Sequence, residues 1–143
     1  WCVWSGRRGA GLGGCLISHA RVFIVADGPI AGRCRKAHLF CVEKECFASG
    51  AELQSVARGE WNFGLTICYD LRFPEVYRAL ATARAANVLV VSSAWPFPRA
   101  EHLRILALAR AIENQSYLLL ATRAGTGATL PSCGGSVTVR SAG

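Results

Sequence analysis

The chain has 143 residues, 52% of them apolar, and a formal charge of +7. That is one domain's worth of chain, long enough to bury a core and too apolar to stay disordered. No apolar run approaches the ~20 residues needed to cross a bilayer, so a soluble chain with no membrane partner is expected.

Fourteen arginines and two lysines, Lys36 and Lys44, make up the positive charge. Apart from "GRR" and "GRCRK" the arginines are scattered, without the one-sided basic face of a nucleic-acid binder, so no nucleic-acid partner is expected. Seven cysteines, an odd number with no CxxC pair and no secretory leader, predict reduced thiols in a cytoplasmic compartment, with a mitochondrial one as the other option. The sequence contains no methionine and does not begin with one, which reads as a fragment or a processed chain.

Residues 1–18 are glycine-rich and show neither helical nor strand periodicity, so they are expected to be disordered or foreign to the domain formed by residues 19–143. From His19 the texture changes. "ARVFIVADGPIAGRCRK" predicts a hairpin turning at Asp27-Gly28. Residues 40–59 read as a polar loop. "WNFGLTIC" is a buried strand, and Pro74 with Glu75 opens a helix running to about Ala86. "NVLVVSS" follows as a strand buried on both faces. A second helix over about 100–115 is apolar nearly all round, predicting cover on both sides or use in an interface. "SYLLLATR", a glycine-rich loop and the weak strand "GGSVTVR" complete the order. A hairpin followed by alternating strands and helices makes an α/β layered fold with helices packed on a sheet.

Cys68 stands where the strand gives way to the helix. A nucleophile at such an elbow is held clear of the sheet, close to backbone N–H groups that stabilise an oxyanion. Read alone, a cysteine ending a buried strand is more often a small core residue.

The surroundings decide. "GR-x-RK-x-HLF-x-VE", then "ICYDLRFPE-x-YRALA", "AWP-x-x-RAEH" and "L-x-ARAIENQ-x-Y" follow in order across residues 19–139. Together they resemble the nitrilase superfamily of carbon–nitrogen hydrolases, and within it the omega-amidase and deaminated-glutathione-amidase branch.

The resemblance implies a nitrilase-type α-β-β-α layered sandwich, here in partial form. It implies a thioester mechanism on a small amide, or less readily a nitrile, with no cofactor. Cys68 matches the nucleophile and Lys36 the lysine that stabilises the oxyanion together with the backbone N–H of Tyr69. Glu43 matches the second carboxylate. Family members form homodimers, so a homo-oligomer is expected. The family's general-base glutamate lies well upstream of the lysine. This chain has no glutamate before Lys36, where Asp27 is the only acid. At the other end Ser141-Ala142 departs from the family pattern. The reading is therefore a chain truncated at both ends, either still an amidase or an inactive remnant keeping the fold as an interaction module.

Other features carry less. Asp70 and Arg72 are expected to pair and hold the elbow, and Glu75 with Arg78 to form a helix pair. Trp95, at a strand end on the side of Cys68, either lines the substrate pocket or fills the core. Cys34, His38, Cys41 and Cys46 fit no standard metal-site spacing, so no metal is expected. "GAGLGG" lacks the strand and helix a dinucleotide loop requires.

Overall fold

The structure is a computed structural model that describes residues 18–41, 43–126 and 131–140. The expectations for "GAGLGG", for Ser141-Ala142 and for residues 1–18, apart from Ser18, lie outside the described residues.

The first two strands, β1 (Ala20–Ile24) and β2 (Ile30–Arg35), form the expected antiparallel hairpin. Gly28 takes φ +99°, a region open to glycine at no steric cost, and its N–H closes the turn on the Val25 carbonyl at 2.9 Å. Residues 40–59 are not simply a loop. They hold the four-residue helix α1 (Glu43–Cys46) and the strand β3 (Gln54–Arg58). β3 lies at a sheet edge and buries only Val56, so its apolar alternation is too sparse to read in sequence.

The central strands β4 (Trp61–Ile67), β5 (Val88–Ser93) and β6 (Tyr117–Thr122) run parallel. β3 and the last strand pair antiparallel at the two edges, giving one five-stranded mixed sheet. Helix α2 (Pro74–Ala83) connects β4 to β5, and α3 (Ala100–Glu113) connects β5 to β6. Right-handed crossovers between strands added in one direction leave both helices on the same face. There Tyr77 and Leu80 of α2 and Leu103, Ala107 and Ala111 of α3 pack on Leu89, Val91, Leu118 and Leu120.

The hairpin covers the opposite face, where Phe23 and Cys34 meet Val56, Phe63, Leu65 and Val88. A helix layer, a sheet and a hairpin layer are thus three tiers of the expected layered α/β sandwich. The glycine-rich segment after β6 adds a small hairpin, β7 (Ala124–Thr126) with β8 (Pro131–Cys133), before the edge strand β9 (Val137–Val139).

Helix α2 stops three residues short of the expected Ala86. Arg84 leaves helical geometry, Ala85 takes φ +51°, and the Ala86 N–H turns back onto the Leu80 carbonyl. The Asn62 side chain donates to the Arg84 carbonyl at 2.6 Å, so a contact from β4 ends a run of good helix formers. Helix α3 is covered on its inner side only, since Ile105 and Ile112 are exposed.

Candidate active site

β4 ends at Ile67 and the chain breaks direction at Cys68, whose φ of +47° lies in the left-handed region. For a residue with a Cβ this conformation costs about 1–2 kcal/mol. A single 3-10 turn (Cys68–Arg72) follows, and then α2 with Pro74 at its first position. The N–H groups of such a first turn have no partner within the helix, and that of Tyr69 is among them.

Asp70 holds the break. Its Oδ2 accepts the Ile67 N–H at 3.0 Å, and its Oδ1 accepts the His38 N–H at 2.8 Å. The expected Asp70–Arg72 pair is not formed, because the carboxylate is committed to these backbone donors. Arg72 lies instead over the Trp95 ring, 5.2 Å from its centroid. Glu75 and Arg78 are not paired either, and Arg78 donates to the Glu113 carbonyl at 2.7 Å.

Lys36 follows β2 directly and points inside the protein, with its side chain 1% exposed. Its backbone is fixed on both sides. The Lys36 N–H donates to the His19 carbonyl, and its carbonyl accepts the Gly50 N–H, each at 2.8 Å. The buried ammonium donates to Glu43 Oε2 at 2.6 Å. That same oxygen accepts the Phe40 N–H at 2.7 Å, while Oε1 lies 3.2 Å from His19 Nδ1. Partial burial pushes the Glu43 carboxyl up, but Lys36, the Phe40 N–H and His19 outweigh it and hold the group below its ordinary value.

Lys36, Glu43, Cys68, Tyr69 and Trp95 all line one cavity of about 590 Å³. It opens where three parallel strands end. Cys68 follows β4, Ser93 ends β5 with Trp95 just beyond it, and Thr122 ends β6 with Arg123 next. Ligand crevices of α/β sheets form at such carboxyl ends. Trp95 is 3% exposed, packs in the core and also borders the cavity. Its indole N–H donates to the Arg99 carbonyl at 2.9 Å. Cys34 is buried under the hairpin with its thiol toward the Leu65 carbonyl, and Cys41 and Cys46 are exposed at the surface.

The model of the carbon–nitrogen hydrolase family matches residues 5–143. The chain belongs to the carbon–nitrogen hydrolase family. It is 42% identical over 95 residues to a 2-oxoglutaramate amidase of Bacillus subtilis, a match covering 64% of this chain and 36% of that one. With a deaminated glutathione amidase of Yersinia enterocolitica it shares 33% over 136 residues, covering 87% of this chain and 47% of the relative. An amidase from Nesterenkonia sp. AN1, solved with the acetamide moiety of fluoroacetamide on its active-site cysteine, superposes with a TM-score of 0.82 at 31% identity. That match covers 87% of this chain and 48% of the amidase. A branch 10 member of the nitrilase superfamily from Saccharomyces cerevisiae superposes at 0.80, with 30% identity, over 88% of this chain and 46% of its own. The fold is thus a partial nitrilase α/β fold, and the chain spans less than half the length of these relatives.

This carbon–nitrogen hydrolase cavity also holds residues that sequence reasoning did not single out. Ser93 directs its hydroxyl at the Cys68 sulfur from 3.4 Å. Its signal was a polar pair, Ser92-Ser93, ending an otherwise apolar strand. His19 borders the cavity beside Glu43, and no local pattern marks it. Arg99 and Arg123 line the rim. Arg99 sits within a quoted motif, yet nothing in that motif says where its side chain goes.

Proposed function

We propose that this chain cleaves the carbon–nitrogen bond of small amides bearing an acidic group, through a thioester on Cys68. The observation that carries the reading is the sharing of one cavity by Cys68, on its elbow, and the buried Lys36–Glu43 pair. The Cys68 sulfur attacks the amide carbon, and the carbonyl π electrons move onto oxygen. The ammonium of Lys36 and the Tyr69 N–H are the donors available to that oxyanion. Collapse expels ammonia, which carries away the thiol proton and leaves an acyl thioester. Water then releases the carboxylic acid and restores the thiol. Glu43 aims the Lys36 ammonium and compensates its charge, because a buried ammonium without a carboxylate partner is strongly disfavoured.

The acidic end of the substrate is argued from charge. Arg72, Arg99 and Arg123 line the cavity, and among the described residues none has a carboxylate partner. Arg72 and Arg99 lie over the aromatic faces of Trp95 and Phe40, which leaves their N–H edges for a ligand. The relatives named as amidases of 2-oxoglutaramate and of deaminated glutathione agree with such substrates.

A second reading is a catalytically inactive member keeping the fold as an interaction module, and the exposed Ile105 and Ile112 on the outer side of α3 favour it. Ammonia release from succinamate and glutaramate separates the two. Release that disappears in Cys68→Ala supports the amidase, and a folded chain that releases none supports the inactive member.

A further inference from the structure

The carboxylate of Asp70 is buried, 2% exposed, and meets two backbone N–H groups and a histidine ring nitrogen from two segments, the farther of them 32 residues from Asp70 in sequence. Oδ2 takes the Ile67 N–H, one residue before Cys68. Oδ1 takes the His38 N–H, two residues after Lys36, and lies 3.1 Å from His38 Nδ1. The His38 ring stacks on Phe73 at 3.6 Å between centroids and 10° between planes. Phe73 in turn donates its N–H to the Asp70 carbonyl at 3.0 Å, closing the loop of contacts.

We propose that Asp70, with His38, is the positioning residue that sets the Cys68 sulfur against the Lys36 ammonium. The proposal rests on Cys68 acting as the nucleophile. Neither Asp70 nor His38 lines the cavity, so they act through the segments they hold rather than on a substrate. The two reactive groups arrive from different tiers, Lys36 at the end of the hairpin and Cys68 at the end of β4. Backbone pairing within either tier does not fix their separation. A carboxylate bonded to the residue before one and to a residue just after the other does. It also stabilises the left-handed break at Cys68, which no local preference supports.

The choice of an acid follows from the donor count. The Ile67 and His38 N–H groups can only donate, one to each oxygen, and a carboxylate accepts at both; His38 Nδ1 adds a third donor in the tautomer that carries its hydrogen there. An asparagine has one acceptor oxygen and an NH₂, so in Asp70→Asn at least one N–H must face another donor. A shape-preserving change would therefore loosen the register of the two segments while leaving the core volume intact.

The test reads thiol reactivity, which needs no turnover and so stands apart from the amidase reading. The full chain is treated with chloroacetamide, and carboxamidomethylation of Cys68 and of exposed Cys46 is followed by peptide mass spectrometry. Asp70→Asn and His38→Gln are compared with the unsubstituted chain at a temperature where circular dichroism shows each to be folded. The expected result is a fall of about tenfold in the Cys68-to-Cys46 rate ratio for Asp70→Asn, as for loss of a hydrogen bond to a charged group. His38→Gln keeps both backbone bonds and is expected to lose about threefold. A purely structural role would lower the melting temperature and leave the ratio unchanged in the folded state. An unchanged ratio in folded Asp70→Asn overturns the proposal. If that variant does not fold, an unchanged ratio in His38→Gln overturns it.

Discussion

The ammonium of Lys36 and the carboxylate of Glu43 lie 2.6 Å apart, one nearly sealed from solvent and the other partly open to the cavity. Removing the acid leaves a buried cation without a partner, which costs about 3–5 kcal/mol. Glu43→Ala is therefore expected to lose about 3 kcal/mol of unfolding free energy at neutral pH, read from urea midpoints. The pH dependence has a definite sign. The folded carboxyl titrates below its unfolded value of 4.5, so its stabilisation is present above that pH. It is lost as pH falls through the lowered folded value. The gap between the unsubstituted chain and Glu43→Ala should be widest near pH 7 and shrink below pH 4.5. A gap that grows on acidification would contradict the assignment.

Gly50 places its backbone against the strand end that carries Lys36. A Cβ at this position would come within 2.6 Å of the Arg35 carbonyl oxygen and 2.8 Å of its Cβ. Backbone, not a flexible side chain, is in the way, so Gly50→Ala should cost about 1–3 kcal/mol. It should also displace the neighbouring lysine. Thermal melting and chloroacetamide labelling of Cys68 are expected to change together.

Arg21 is buried at 2% exposure in the interface between hairpin and sheet. It donates to the Val90 carbonyl and to the Ser92 hydroxyl, yet its Nη2 has no partner among the described residues. An unsatisfied buried polar group of this kind costs about 1–3 kcal/mol. Arg21→Met keeps the length and apolar stem, and the expectation is a gain of about 1 kcal/mol in a urea titration. A loss of comparable size would mean that the two bonds made by the guanidinium outweigh the orphaned nitrogen.

If the substrate's acidic end meets the arginine rim, Arg72→Met should raise KM for succinamate about tenfold or more, the weight of a charge-assisted hydrogen bond. An amide of similar length without a carboxylate should be unaffected. Equal losses for both amides would assign Arg72 to holding Trp95 rather than to recognition.

Much of the layered core was legible because its strands are long apolar runs with clear ends. "NVLVVSS" and "SYLLLATR" lie inside the sheet, the first buried or half-buried along its length and the second buried on its helix side with Tyr117 and Ala121 exposed on the other, and Asp27-Gly28 and Pro74 punctuate the chain where the structure turns. β3 was hidden because an edge strand with one buried side chain leaves no readable pattern. The early stop of α2 was hidden because a contact from Asn62, not a local signal, makes it. Cys68, Lys36 and Glu43 could be nominated only jointly, since each alone reads as an ordinary core or surface residue. The partners of that trio were out of reach. Asp70 looks like a natural mate for Arg72 two positions on, and only the folded chain brings it to His38.

The most direct test of the account is capture of the acyl intermediate. The chain is mixed with excess glutaramate, quenched in acid and mapped by peptide mass spectrometry, with released ammonia counted in parallel. The account predicts that the peptide holding Cys68 gains the acyl group as ammonia appears. It also predicts that neither occurs in Cys68→Ala or Lys36→Met. Acylation confined to the exposed Cys41 and Cys46, or a folded chain that yields no adduct and no ammonia, would contradict it.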